Sequence, residues 1–146
     1  MDIETLKPLV SPKLHEYLDK ILEMCNASFA VSNGIELVSI SEDLRVVMRK
    51  TIVPGDLNSN GFAHGGASYG LMDHTFAVCC NVKEPTVGLS CDIIYHRPCV
   101  SETIEAVSKV INESKSLMTV EIKVTGGGKL IASATCVGFK ARMKKE

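Results

Sequence analysis

The sequence contains no tryptophan, and aromatic residues make up only 5% of it. Aliphatic and sulfur-bearing side chains must therefore fill whatever core it builds. No apolar run approaches the ~20 residues that a membrane-spanning helix requires, and the acidic opening Met1-Asp2-Ile3-Glu4 lacks the pattern of a secretory leader. Excess charge is missing too: a net charge of −1 provides no electrostatic footprint for nucleic acid and little repulsion between copies. The six cysteines (Cys25, Cys79, Cys80, Cys91, Cys99 and Cys136) include no CxxC pair. With no leader, they read as reduced thiols of a cytoplasmic protein, several of them in core positions. His64, His74, Cys79 and Cys91 lack the paired spacing of a zinc site, so neither metal nor cofactor is expected.

What is present suits one soluble domain. The chain has 146 residues, 45% of them hydrophobic and 23% charged, enough for a single core and too few for two. Leu14, Tyr17, Leu18, Ile21, Leu22 and Cys25 recur at helical spacing, which predicts an amphipathic helix over about residues 12–26. Ser11 is placed to cap it, and Pro12 suits its first turn. Lys13, Glu16, Asp19, Lys20 and Glu23 mark its solvent face. Asn33-Gly34 reads as a turn into a hairpin of strands 35–40 and 44–52. After a loop over 54–63 and a long helix over 65–81 come strands at 86–95, 103–114, 117–125 and 129–140. Both alternating sets of the last strand are largely apolar, so both its faces should be covered. The order argues for α+β, one antiparallel sheet packed on a helix, with the core spanning about residues 33–140. The basic cluster Lys140, Arg142, Lys144 and Lys145 reads as a solvated tail.

The helix over 65–81 holds the most information. Leu71, Met72, Phe76, Ala77, Val78 and Cys79 point all around it, so most of it should be buried, while Ala67 and Gly70 permit close approach. Within it stands a single acid, Asp73. A carboxylate in such a place is expensive unless paired or useful, and desolvation raises its pKa toward that of a working base. The plainer alternative is a solvent-facing Asp at a helix kink, or one bonded to a neighbouring turn. His74 is rotated about 100° from Asp73 and reads as structural or as packed at a subunit contact. At the helix start, His64-Gly65-Gly66 leaves the first backbone N–H groups free of side chains, suited to a polarised carbonyl or oxyanion.

Asn58-Ser59-Asn60-Gly61-Phe62-Ala63-His64-Gly65-Gly66, followed by Leu71-Met72-Asp73, resembles the signature of the phenylacetate-degradation-type (PaaI-like) thioesterases of the hotdog superfamily. Residues 34–40 resemble the family's first hairpin strand, and Ile93-Ile94-Tyr95-His96-Arg97-Pro98 its strand end after the helix. The resemblance implies a hotdog fold, an antiparallel sheet wrapped around a long central helix. It also implies hydrolysis of an acyl-CoA to a free acid and CoA. It places the carbonyl-polarising N–H on Gly65, the nucleophile or general base on Asp73, the water- or carbonyl-placing amide on Asn58, and the turn-holding role on His64.

Gly66, Leu71, Met72, Phe76 and Arg97 become candidate substrate contacts; Arg97 is either a CoA-phosphate contact at the pocket mouth or an ordinary surface cation. The family often has a Ser or Thr where this sequence has Gly88; Ser90 and Thr86 share that strand parity and stand as substitutes.

Spacing adds a constraint. Gly65 and Asp73, eight residues apart on one helix, are separated by about 12 Å. One thioester carbon cannot approach both at the roughly 3 Å that reaction requires. Two chains must share each site, which predicts an obligate homodimer with two equivalent sites, and in similar proteins dimers commonly pair into tetramers. The rival readings are a hotdog dehydratase or hydratase using His64 or His74 with Asp73, a non-catalytic acyl-CoA binder, and catalysis by Cys79 or Cys80. The first lacks its own motif context, and the last lacks a partnered histidine.

Overall fold

The computed structural model describes residues 1–141. Helices α1 (Ile3–Leu6), α2 (Leu18–Cys25) and α3 (Ser28–Ser32) precede strands β1 (Ile35–Ile40) and β2 (Val46–Thr51). Then come helix α4 (Gly65–Asn81) and strands β3 (Thr86–Tyr95), β4 (Thr103–Glu113), β5 (Leu117–Gly126) and β6 (Lys129–Lys140). The six strands form one antiparallel sheet in the order β1-β2-β4-β5-β6-β3. β3 follows α4 in the chain yet pairs with β6, so it forms one edge of the sheet.

α4 lies across one face of the sheet and touches five of the six strands. Leu71, Met72, Val78 and Cys79 belong to one buried cluster with Met48, Ile104, Ala106, Val120 and Ile122 of the sheet. Each large side chain so buried contributes about 1.5–3 kcal/mol. Asn81 ends the helix and turns the chain: its Nδ2 donates to the Ala77 and Thr86 carbonyls, and its Oδ1 accepts the Thr86 N–H. A sheet curled around one long helix is the hotdog arrangement.

Three expectations are corrected here. The helix expected over 12–26 is a 3-10 segment, Pro12–Tyr17, running into α2, and the Ser11 side chain makes no cap bond. The last strand is covered on one face: Ala132, Ala134, Cys136 and Gly138 are buried beneath α4, whereas Thr135 and Phe139 on the other face are exposed. Lys140 is buried and ion-paired with Glu84 at 3.0 Å and Glu113 at 2.6 Å, so it is no solvated tail. Arg142, Lys144 and Lys145 lie outside the described residues.

The N-terminal segment packs beside α4. Phe29 of α3 rests on Gly70, where an added Cβ would sit 3.2 Å from the ring, and its ring lies 6.4 Å from that of His74. His74 is buried there, its Nε2 without a partner among the described residues, and burial holds the imidazole below the ordinary histidine pKa against the pull of neighbouring Asp73.

Candidate active site

The chain enters α4 through a loop anchored from beneath. Lys50, only 3% exposed, reaches Asp56 Oδ2 at 3.0 Å and donates to the Asn33 carbonyl at 2.6 Å. Asp56 Oδ2 also accepts the Val53 N–H, and its carbonyl accepts the His64 N–H at 2.7 Å. Between these anchors Asn58 organises a tight turn: its Oδ1 accepts the N–H groups of Asn60 at 2.9 Å and Phe62 at 3.1 Å. Bridges from Ala63 to Leu57 and to Cys99 hold the turn against the strand end after β3.

His64 is the N-cap of α4. Its Nδ1 accepts the Gly66 N–H at 2.9 Å, and its carbonyl accepts the Ala67 N–H. The helix start is therefore less open than the sequence suggests, because the Gly66 N–H is taken. The Gly65 N–H has no acceptor among the described residues. A side chain at Gly65 would stand 3.2 Å from the Tyr95 ring, whose hydroxyl lies 3.4 Å from the Gly65 carbonyl. Glycine is what lets Tyr95 close over the helix start. Here opens a cleft of about 390 Å³, lined by Asn58, Gly65, Ser68, Tyr95 and Arg97 among others. The Arg97 guanidinium makes no ion pair among the described residues.

Asp73 stands two helical turns away and outside that cleft. The expectation of a buried carboxylate is corrected: in the single chain Asp73 is exposed. It lies on the one open stripe of α4, with Gly66, Tyr69 and the half-buried Ala77, at the helical spacing of a single face. Phe29 bounds this stripe on one side and β3 on the other. As the edge strand, β3 leaves backbone groups unpaired, and Val87, Leu89, Ile94 and Tyr95 are exposed along it.

Two further placements differ from expectation. Leu71 and Met72 are fully buried in the helix–sheet core, and Phe76 faces Gly88 and Gly138, so none of the three lines the cleft. Ser90 does not share the parity of Gly88. The register slips between Gly88 and Ser90, so Gly88 opposes Gly138 while Ser90 opposes Val137. One extra residue in a strand turns every following side chain to the other face. Ser90 thus points away from α4, whereas Cys91, opposite buried Cys136, points toward it. Thr86 does face the helix, but its hydroxyl bonds the Cys80 and Glu84 carbonyls. Cys79 and Cys80 are buried, closed to any substrate.

Residues 60–132 match the family model for the thioesterase superfamily, half of the chain. This chain belongs to the thioesterase superfamily. It is a thioester hydrolase of the PaaI-like kind. A Deinococcus radiodurans protein provisionally described as an esterase is 30% identical over 121 residues, 82% of each chain. A variant of the phenylacetic acid degradation protein PaaI from Thermus thermophilus superposes with a TM-score of 0.74 at 31% identity, covering 77% of this chain and 98% of that one. A hypothetical thioesterase of Streptococcus pneumoniae, solved with coenzyme A, shares the fold at 21% identity and a TM-score of 0.72, over 77% of this chain and 91% of that one.

Sequence reasoning passed over Lys50, Asp56 and Tyr95. A lysine inside the apolar run of β2 was the available signal for the first pair. Tyr95 was visible only as part of a motif, because nothing in the sequence shows its ring crossing Gly65.

Proposed function

We propose that this thioesterase hydrolyses acyl-CoA at two equivalent sites in a homodimer, each combining Asp73 of one subunit with Gly65 and Asn58 of the other. The observation that carries this reading is the separation within one chain. The free Gly65 N–H and the Asn58 amide sit in one cleft, while Asp73 stands two turns away on an open stripe. Antiparallel apposition of two α4 helices about a two-fold axis brings the halves together. The edge strand β3, with its exposed Val87, Leu89 and Ile94, supplies an apolar surface for that pairing. Burial of the stripe in the dimer would then desolvate Asp73, which the isolated chain leaves wet.

In this arrangement the Gly65 N–H donates to the thioester oxygen as negative charge gathers there, aided by the macrodipole of α4. Asp73 takes a proton from water as the water oxygen bonds the carbonyl carbon. The tetrahedral adduct collapses with cleavage of the C–S bond, and Asp73 returns its proton to the departing thiolate. One thioester and one water become one carboxylic acid and one CoA thiol. Attack by Asp73 itself, with water hydrolysing the resulting anhydride, has the same overall balance. His64 holds the helix start, and Arg97 at the cleft, without an ion pair among the described residues, offers its cation to CoA phosphate. A cytoplasmic location and a dimer of dimers belong to the same reading. Among the described residues no helix is long and apolar enough to cross a membrane.

Mixing two inactive variants tests the shared site. Asp73→Ala and Asn58→Ala should each abolish thiol release from acyl-CoA while remaining dimeric. Subunit exchange between them should restore about a quarter of wild-type activity, because half the dimers then carry one intact site of two. No recovery on mixing, or a stable and active monomer, would refute the two-chain site. Gly88, in place of a hydroxyl residue, favours one alternative, a silent acyl-CoA binder. Tight binding without any thiol release by the wild-type protein would establish it.

A further inference from the structure

The family's strand hydroxyl is absent at Gly88, and neighbouring hydroxyls are directed elsewhere. Ser90 lies beyond the register slip on the far face of β3. The Thr86 hydroxyl is held by the Cys80 and Glu84 carbonyls. Thr75 donates back to the Leu71 carbonyl at 2.7 Å and is fully buried. Ser68 is buried and lines the cleft at the helix start, away from Asp73. Tyr69 remains. It stands four residues before Asp73 on the same open stripe, so the two side chains are neighbours on one helix face.

The strand β3 forms the wall beside Tyr69. β3 runs antiparallel to α4: Tyr95 lies over Gly65, Cys91 over Met72 with 3.6 Å between their sulfurs, and Gly88 over Phe76. Tyr69 is 37% exposed along the stripe, with the Cys91 thiol of this strand as its hydrogen-bond neighbour and the Asp73 carboxylate within electrostatic reach. Cys91 beside it, its own burial and the Asp73 charge all push the phenol above its ordinary pKa. The phenol is therefore held as a protonated donor at neutral pH.

We propose that Tyr69 is a positioning residue for hydrolysis, its phenol O–H donating to the Asp73 carboxylate or to the water that Asp73 activates, in place of the hydroxyl that Gly88 lacks. The inference rests on the assignment of Asp73 as the catalytic acid. It also ties Gly88 and Tyr69 together as one substitution made from the opposite wall of the same trough. The strand can accept the exchange: a Cβ at Gly88 would meet only Phe76, at 3.4 Å, an ordinary contact.

The experiment compares wild type, Tyr69→Phe, and Tyr69→Phe with Gly88→Ser, in steady-state thiol release from one acyl-CoA series, with melting temperature and dimer mass measured for each. Tyr69→Phe should lower kcat about 10- to 100-fold, the range for a hydrogen bond to a charged group, and leave KM nearly unchanged. Gly88→Ser in that background should restore much of the lost kcat. A merely structural tyrosine would not be rescued from the strand. Wild-type kcat in Tyr69→Phe, a loss expressed only in KM, or a loss that Gly88→Ser leaves uncorrected would overturn the proposal. Asp73→Ala separates the two levels. If that variant stays active, the acid assignment itself falls. If it is dead while Tyr69→Phe is fully active, only the role of Tyr69 falls.

Discussion

Replacing Lys50 by methionine should destabilise the protein far more than loss of a surface charge would. Methionine keeps much of the buried stem and removes the ammonium, so the substitution isolates the electrostatic part. Lys50 is 3% exposed, and the Asp56 side chain facing it at 3.0 Å is 14% exposed. Removing one partner of a buried pair leaves an uncompensated charge and typically costs 3–5 kcal/mol. The partial exposure of Asp56, and its retained bond to the Val53 N–H, place the expected loss near the lower end, about 3 kcal/mol. The Asn33 carbonyl also loses its 2.6 Å donor, which is included in that figure. For a chain of this size the melting temperature should fall by about 6–12 °C. Urea titration at fixed protein concentration measures it, since dimerisation would otherwise shift the midpoint. The double variant Lys50→Met with Asp56→Asn should recover a large part of the loss, because no orphan charge remains. A loss below about 1 kcal/mol, or strict additivity in the double variant, would refute the reasoning, since partners in contact must couple.

Stability should also depend on pH through His74. Burial lowers its folded pKa below the ordinary 6.5, so the unfolded chain binds the proton first as pH falls. The stabilising contribution is complete above 6.5 and is lost progressively below it. His74→Gln should flatten this acid limb in urea midpoints compared between about pH 7.5 and about pH 5.5, and an unchanged slope would exclude His74 as its source. Gly138→Ala would bring a Cβ within 2.6 Å of Thr86 Cγ2, a stiff β-branched group. Overpacking there should cost about 1–3 kcal/mol. Thr86→Ser with Gly138→Ala should relieve it, and a neutral Gly138→Ala by thermal melt would contradict the close packing of β3 on β6.

Much of the architecture was legible because each signal was local. Apolar, β-branched runs bounded by turn residues located Thr86–Tyr95 and Lys129–Lys140 to the residue, and paired glycines located the start of α4. The N-terminal segment was harder, because a 3-10 stretch and an α-helix place Leu14, Tyr17 and Ile21 on much the same face. At the site, the sequence named Asn58, Gly65 and Arg97, which the structure brings into one cleft. It also named Leu71, Met72 and Phe76 for that site, and these went to the core instead, since apolar character alone does not separate a pocket wall from a packed interior.

The sequence by itself determined the family and the spacing of Gly65 from Asp73, because a helix converts residue number directly into distance. Only the tertiary structure decided which faces meet. The slip at Leu89 turned Ser90 away from the helix, the pairing of β3 with β6 left one edge open, and the fit of Phe29 on Gly70 buried His74 but not Asp73. Bulges, edges and contacts between distant segments depend on partners that local spacing does not encode.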